Sequence, residues 1–359
     1  MHILIFMTVV SLFLGGLSLL YLYLNFPACR QGWYLVAHLL LTLNIVYSRF
    51  LPEWLPSLLV KASSWLSGLA IAGLYYIILL GLLHGLLALL GRLLGFRLPS
   101  ITAALGLLCV CFFVAFGTYR AFHPVLRTEL ITTSKLPANT TYRIAFITDV
   151  HLGRILGHSY AEGLVQRVNE LKPDLVLISG DLLDEKIHYV NEESSLEPFK
   201  ALTAPAFLGL GNHDYLDQPP LWWQMVEAHG ITVLNNRSVI FKNQLKLTGI
   251  ADFSRDKGTA TLDSLKEGNS SYYSILLDHQ PRRMEAASKT GYDLYLAGHT
   301  HTGQLFPNRL ITQKMYQLDY GRKNFGSLTA ITNNGYGFWG PPVRTEEAPE
   351  LVLIELRGK

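Results

Sequence analysis

The hydrophobic pattern divides the chain into two parts of different texture. The first part holds four apolar runs with no Asp, Glu, Lys or Arg, at residues 3–24, 33–48, 62–90 and 98–117. A bilayer core about 30 Å thick needs about 20 apolar residues of helix, and a backbone in lipid must satisfy its own hydrogen bonds. The runs therefore predict an all-α transmembrane domain of about four helices over residues 1–120, the second being the shortest. A cleaved signal peptide is the alternative for residues 3–24, but the run lacks a basic leading segment.

After about residue 121 charged residues appear, and short apolar runs alternate with amphipathic stretches. Helical spacing marks 159–171 and 219–229, whereas 306–328 lacks a periodicity and predicts a long loop. The apolar runs predict strands at 142–148, 174–179, 206–210, 246–250, 273–278, 293–297 and 350–356. Alternating strands and helices are typical of a layered α/β domain, here over residues 121–359.

The charge distribution excludes one class of partner. The 359 residues carry a formal charge of +3, but residues 1–120 hold six Lys/Arg and one acid, leaving the remainder at −2. A faintly acidic second domain does not favour nucleic-acid binding. With four spans, five basic residues flank the side of the termini and three flank the other side. This count favours helices in the plasma (inner) membrane with the second domain on the cytoplasmic side. The predicted side of the second domain reverses if 33–48 does not span.

Polar side chains capable of binding a metal follow five of the predicted strands. They are Asp149 and His151, Asp181, Asn212 and His213 with Asp214, His279, and His299 and His301. Because ligand sites in α/β sheets gather outside the carboxyl ends of strands, we expect these groups to converge at one edge. The glycines before Asp181, Asn212 and His299 suit tight turns close to the ions.

The chemistry of these groups indicates a metal. Two carboxylates, an amide oxygen and several imidazoles, with no sulfur, suit Mn, Fe, Zn, Co or Ni rather than Cu(I) or an iron–sulfur cluster. Seven ligands are too many for one ion, so the pattern predicts two divalent metal ions that share one carboxylate.

The five blocks together resemble the calcineurin-like metallophosphoesterase superfamily over roughly residues 122–357. The stretch 334–337 with 341–344 further resembles its bacterial membrane-anchored phosphoesterases. Two positions depart from the usual pattern: Asp214, where many members carry Glu, and Thr302, where this subgroup often has Gly.

The resemblance implies a four-layer αββα sandwich of two facing sheets flanked by helices. It implies a first metal held by Asp149, His151 and His301, and a second held by Asn212, His279 and His299. The remaining roles it implies are Asp181 as the bridging ligand, His213 as the catalytic acid and Asp214 as the group that orients His213.

The expected function is hydrolysis of a phosphodiester, phosphomonoester or pyrophosphate bond. Two cations about 3.5–4 Å apart clamp an in-line displacement at phosphorus and lower the pKa of a bound water toward neutral. Manganese is one candidate metal. The expected partners are the lipid bilayer and a phosphorylated small molecule or a lipid-linked substrate. The alternative is a metal-binding membrane sensor or scaffold without turnover.

Two further features leave alternatives open. The pairs Trp222-Trp223 and Phe338-Trp339 are suited to packing, to a bilayer interface or to stacking on a base or sugar. His38 and His84 lie within the predicted helices, where a hydrogen bond across the bundle is favoured over a proton pathway.

Overall fold

The computed structural model describes residues 2–51, 54–184, 187–216, 221–256, 260–268 and 270–359. By internal contacts the chain forms two compact units. The first unit runs to Arg120 and also includes Gly340–Thr345, while the second comprises Ala121–Trp339 and Glu346–Lys359. The second unit thus lacks a six-residue segment of the predicted range 121–359.

Four α-helices make up most of the first unit, in close agreement with the apolar runs. They are α1 (His2–Asn25), α2 (Gly32–Tyr47), α3 (Ser57–Leu93) and α4 (Ile101–Ala121). Three of them, α1, α3 and α4, are long and apolar enough to cross a membrane. Helix α2 has 16 residues, which at about 1.5 Å per residue gives about 24 Å. The count of four spans therefore stays a prediction.

The segment Gly340–Thr345 packs against helices of its own unit. A Cβ on Gly68 of α3 would lie 2.5 Å from Pro342, and one on Gly117 of α4 would lie 2.5 Å from Val343. The Arg344 backbone N–H donates to the Gly117 carbonyl at 2.9 Å. These glycines allow the segment to approach both helices closely.

The second unit is built on two mixed sheets. Its strands are β1 (Val125–Thr133), β2 (Thr141–Ile147), β3 (Leu175–Ser179), β4 (Ala206–Gly209), β5 (Ile231–Leu234), β6 (Arg237–Phe241), β7 (Leu245–Gly249), β8 (Tyr273–Leu277), β9 (Leu294–Ala297), β10 (Gly321–Phe325), β11 (Leu328–Thr332) and β12 (Glu350–Gly358). Among the described residues the order is β1-β12-β2-β3-β4-β5 in one sheet and β10-β11-β9-β8-β7-β6 in the other. Strands β2 to β5 are parallel, as are β7, β8, β9 and β11.

Three cores define the layers. One core joins side chains of both sheets, such as Ile144 and Leu177 from the first and Leu247 and Ile275 from the second. A second core packs the outer face of the first sheet against helices, and a third does the same for the second sheet. The helices in these cores are α5 (His158–Glu170), α6 (Ile187–Glu192), α7 (Trp223–Glu227), α8 (Ala260–Ser264) and α9 (Met284–Lys289), whereas α10 (Arg309–Met315) has no buried residue. The predicted α/β fold with four αββα layers is confirmed.

Several elements differ from the sequence-based expectation. The loop predicted at 306–328 is wrong, because the structure places α10 and β10 within it. Strands β1, β5, β6 and β11 were not predicted. Of the helix predicted at 219–229, the structure has Trp223–Glu227, and positions 219 and 220 lie outside the described residues.

Candidate metal centre

The predicted ligands come from the carboxyl ends of neighbouring parallel strands. Asp149 and His151 follow β2, Asp181 follows β3, and Asn212 and His213 follow β4. The second sheet supplies the rest: His279 after β8, and His299 and His301 after β9. Since the shared core holds the two sheets face to face, the ends of these five strands meet at one place.

Six of the seven side chains fall into two ligand groups. Asp149, His151 and His301 place their ligand atoms within 4.8 Å of one another, and so do Asp181, His279 and His299. Asp149 Oδ1 lies 3.3 Å from His301 Nε2, and Asp181 Oδ2 lies 3.0 Å from His279 Nε2. Asp181 Oδ2 is also 3.9 Å from His151 Nε2. Asp181 therefore stands beside both groups, as a bridging ligand must.

Unsatisfied acceptor atoms make this cluster suited to cations. Asp149 Oδ1 and Asn212 Oδ1 are buried and receive no hydrogen bond among the described residues. Leaving such atoms without a donor costs about 1–3 kcal/mol each. Divalent cations would satisfy these atoms, and the imidazole and carboxylate donors around them suit first-row transition metals. The residues present therefore fit the metal pair that the sequence predicts.

Hydrogen bonds behind the ligands fix their orientation. His279 Nδ1 donates to the Ser179 carbonyl at 2.8 Å, which leaves Nε2 as the ligand atom. Asp149 Oδ2 accepts from the Thr148 hydroxyl at 2.7 Å and from the His299 N–H at 2.9 Å, so that only Oδ1 faces the cluster.

Burial and mutual charge shift the pKa values of these groups. Burial raises the pKa of Asp181, but the His279 imidazolium outweighs it and the pKa falls to about 2. Burial lowers the pKa of His151, yet the neighbouring Asp149 and Asp184 carboxylates raise it to about 10. Burial, with the charge of His279, lowers the pKa of His299 to about 4. The carboxylates are therefore ionised and compensated by imidazolium charge, which cations would replace.

The ligands occupy unusual backbone conformations. Five of the seven have a positive φ: Asp149 (52°), His151 (54°), Asp181 (51°), His299 (72°) and His301 (45°). L-residues adopt this left-handed region at a cost of about 1–2 kcal/mol each. Backbone strain of this kind concentrates at functional sites.

Close approach of neighbouring loops requires glycine at two positions. A Cβ on Gly211 would lie 2.2 Å from Asp181 Oδ1, and one on Gly298 would lie 2.2 Å from Asp149 Oδ2. Any larger residue would displace the carboxylates, so these glycines belong to the construction of the centre.

His213 lies at the edge of the cluster but has a different carboxylate partner from the predicted one. Its Nδ1 lies 3.1 Å from Asp184 Oδ1. Asp184 Oδ1 is also 3.1 Å from His151 Nδ1, so this carboxylate connects a metal ligand with His213. Sequence reasoning missed Asp184, although it stands three positions after Asp181 in the same loop.

The predicted orienting role of Asp214 does not fit its contacts. Its Oδ2 accepts from the backbone N–H groups of Asp181 and Gly211, each at 2.8 Å, and its Oδ1 accepts from that of Leu183 at 3.0 Å. Burial and the charge of Asp181 raise the pKa of Asp214 to about 7. Asp214 therefore ties together the loops after β3 and β4, because its oxygens are aimed at backbone rather than at His213.

A cavity of about 300 Å³ opens onto the ligands. Its walls include Asp181, Asn212, His213, His299 and His301, together with Gln304 and Trp339. The Gln304 amide donates to the Trp339 carbonyl at 2.9 Å and accepts from the Trp339 N–H at 3.0 Å. The Trp339 ring centre lies 5.9 Å from that of His213. Trp339 is thus fixed at the mouth of the cavity.

Comparisons with known proteins agree with this site. Residues 142–303 match the family described as calcineurin-like phosphoesterase. A metallophosphoesterase of Campylobacter jejuni is 33% identical over 223 residues, covering 60% of this chain and 59% of its own length. One of Aquifex aeolicus is 32% identical over 246 residues, covering 65% of this chain and 93% of its own length.

A third relative extends into the helical part of the chain. A transmembrane protein with metallophosphoesterase domain of Danio rerio is 29% identical over 325 residues, covering 82% of this chain and 74% of its own length. The chain spans about three fifths of the length of the first bacterial relatives it matches. Together with the two ligand groups at the strand ends, these similarities show that the chain belongs to the calcineurin-like metallophosphoesterase family.

Proposed function

We propose that the protein is a membrane-anchored, dimetal phosphoesterase that hydrolyses a phosphodiester, phosphomonoester or pyrophosphate bond of a lipid-linked substrate. The observation that carries this proposal is the pair of ligand groups around Asp181, with buried acceptor atoms that have no donor. The substrate and the membrane location are inferred from helices α1, α3 and α4, which are long enough to span a bilayer. We expect the plasma membrane, with the second unit in the cytoplasm.

The ligand residues hold the substrate phosphate site in place. When bound, the two cations would supply Lewis acidity toward phosphoryl oxygens and a water of lowered pKa. Asp149, His151 and His301 would hold one cation, and Asn212, His279 and His299 the other, with Asp181 shared. The backbone N–H of His213 donates to Asp181 Oδ1 at 2.8 Å, which leaves Oδ2 toward His279.

His213 is the candidate general acid. It lines the cavity next to Asn212 and its side chain is 12% exposed, so its imidazole can reach a leaving oxygen. Nδ1 faces Asp184, which leaves Nε2 as the atom that would give a proton to that oxygen. Asp184 would orient the His213 ring and fix its tautomer.

The test uses the purified full chain with Mn²⁺ and a nitrophenyl phosphodiester. We expect turnover by wild type, metal near two ions per chain, and loss of activity of at least about 100-fold in His213→Ala. Asp181→Ala should lose activity and metal together. His188→Ala is the matched control, because this histidine is exposed and outside the cavity.

The same measurements separate the proposal from its alternative. A chain that binds two ions but turns over no phosphate ester would be the metal-binding sensor or scaffold. Activity that survives both His213→Ala and Asp181→Ala would contradict the assigned roles.

A further inference from the structure

Exposed apolar side chains collect beside the metal centre. Phe306, Leu310, Ile311 and Met315 are 53%, 64%, 57% and 52% exposed, and Trp339 is 48% exposed. We call these five residues the apolar rim. Single exposed apolar residues are ordinary, but a group of large ones marks an interaction surface.

The apolar rim lies close to the predicted metal ligands, both along the chain and in space. Helix α10 begins eight residues after His301, and a Cβ on Gly303 would lie 2.5 Å from the Arg309 backbone nitrogen. At the other end of α10, the Tyr316 ring centre lies 5.7 Å from that of His299. The two hydrogen bonds between Gln304 and the Trp339 backbone connect the remaining member.

The helical spacing places the exposed residues on one face. Leu310, Ile311, Lys314 and Met315 stand at positions i, i+1, i+4 and i+5 of α10, and all four are exposed. Residues 306–316 (FPNRLITQKMY) contain two bases: Arg309 pairs with Glu347 at 2.9 Å, whereas Lys314 is exposed beside Met315. Apolar side chains with basic neighbours are typical of surfaces that lie in the interface of an anionic bilayer.

The membrane is also the partner that this chain meets at the highest concentration. Three helices long enough to span a bilayer belong to the same polypeptide. A tethered contact forms at an effective concentration far above that of a free partner. Trp339 adds a side chain of the kind enriched at membrane interfaces.

We propose that the apolar rim docks onto the surface of the lipid bilayer, so that a phosphate carried by a membrane lipid enters the metal cavity directly from the headgroup layer. This inference rests on the proposed function for its substrate, but the docking itself is independent of catalysis. It assigns to Phe306, Leu310, Ile311, Met315 and Trp339 a role in recognising the lipid surface.

The first experiment measures the contact without activity. In a background of Cys29→Ala, Cys109→Ala and Cys111→Ala, a fluorophore is attached at Ile311→Cys and the full chain is placed in lipid nanodiscs, one chain per disc. Doxyl-labelled lipids should quench this position about threefold more than a label at Ile240→Cys. Ile240 is the matched control because it is 43% exposed and lies on β6.

Two results would overturn the docking proposal. Equal quenching at both positions means that the apolar rim does not meet lipid. If, in addition, the Ile311→Cys label shifts to the blue as protein concentration rises in detergent, a second copy of the chain covers the rim instead.

The second experiment asks whether docking serves the reaction. The double variant Leu310→Glu, Ile311→Glu is compared with Ile240→Glu on a soluble nitrophenyl phosphodiester and on the same diester with an acyl anchor in anionic vesicles. We expect a loss of about tenfold on the anchored diester and a change within about twofold on the soluble one. Equal loss on both would contradict docking, because it would show that the rim supports the site itself. If the wild type turns over neither diester, the proposed function fails while the quenching result stands.

Discussion

Two buried polar clusters in this molecule are satisfied in different ways. In the helical unit, His38 Nε2 lies 3.0 Å from the Gly15 carbonyl and 3.2 Å from the Ser18 hydroxyl, and Ser18 donates to the same carbonyl at 2.8 Å. In the metal centre, Asp149 Oδ1 and Asn212 Oδ1 are also buried but receive no hydrogen bond from the part of the chain that the structure describes. The first cluster needs nothing more, whereas the second needs a ligand.

Hydrogen-bond satisfaction distinguishes structural from functional histidines in this molecule. An ionisable group inside an apolar helix bundle would by itself suggest function. His38 instead completes a local network between α1 and α2, where Gly15 lets the helices approach. In the metal centre, two buried acceptor atoms beside the imidazoles have no donor among the described residues. Unsatisfied acceptors of this kind are the better indicator of a binding site.

The largest effect should come from breaking the metal centre. Asp149→Asn keeps the size of the side chain but removes the charge shared by its ligand group, so we expect activity to fall by about 1,000-fold. Metal content, measured by elemental analysis, should fall in parallel. Asp263→Asn on α8 is the control, because that carboxylate is exposed and pairs with Lys266.

Metal bound at the same centre should also stabilise the folded chain. Chelation should lower the melting temperature of the wild type by several degrees, because loss of a ligand held at 1,000 times its Kd costs about 4 kcal/mol. Asp149→Asn should show no such shift. If chelation leaves the melting temperature of the wild type unchanged, the metal centre does not need a bound ion and no longer differs from the His38 cluster.

A smaller effect is expected at the edge of the centre. Asp184→Asn should lower kcat by about 10–100-fold with little change in KM, because the carboxylate positions His213 and His151 rather than touching substrate. Kinetics across substrate concentration will separate the two constants. Asp184→Glu should recover part of the loss.

Asp214→Asn provides the matched comparison. Since Asp214 accepts three backbone N–H groups, its replacement should cost about 1–3 kcal/mol of stability, measured by denaturant unfolding. If instead Asp214→Asn reproduces the kinetic defect of Asp184→Asn, Asp214 orients His213 as the sequence predicts.

The smallest effect should come from the helical cluster. His38→Ala removes one interhelical hydrogen bond, worth about 0.6 kcal/mol in membrane proteins. Thermal unfolding of the full chain in detergent should shift slightly, and turnover of a soluble diester should not change. Loss of activity in His38→Ala would show that this histidine is more than a packing element.

Most of the metal centre was predictable because two rules act together. Parallel strands present their carboxyl ends at one edge, and five strands are followed by residue types that bind metals. Asp184 was not predictable in this way, because it lies further along the loop after β3 than Asp181 does, and its contacts with two imidazoles depend on the fold. The sequence pairs Asp214 with the adjacent His213, whereas the structure shows its oxygens accepting backbone N–H groups of Asp181, Leu183 and Gly211.

The elements with weak patterns account for the errors in the fold. Strands β1, β5 and β6 are exposed or short, so neither alternation nor a continuous apolar run marks them. Helix α10 was taken for a loop because its apolar residues face outward instead of completing a core-facing stripe. A surface that serves recognition is therefore where hydrophobic periodicity fails as a guide.

The left-handed backbone at the metal ligands has a consequence for protein engineering. At each of these positions glycine would adopt the positive φ without strain, whereas a residue with a Cβ adopts it at a cost. A screen that rewarded only thermal resistance of the metal-free polypeptide would therefore enrich glycine at Asp149, His151 and His301. The most heat-resistant variant from such a screen would therefore lack the side chains that are predicted to bind metal.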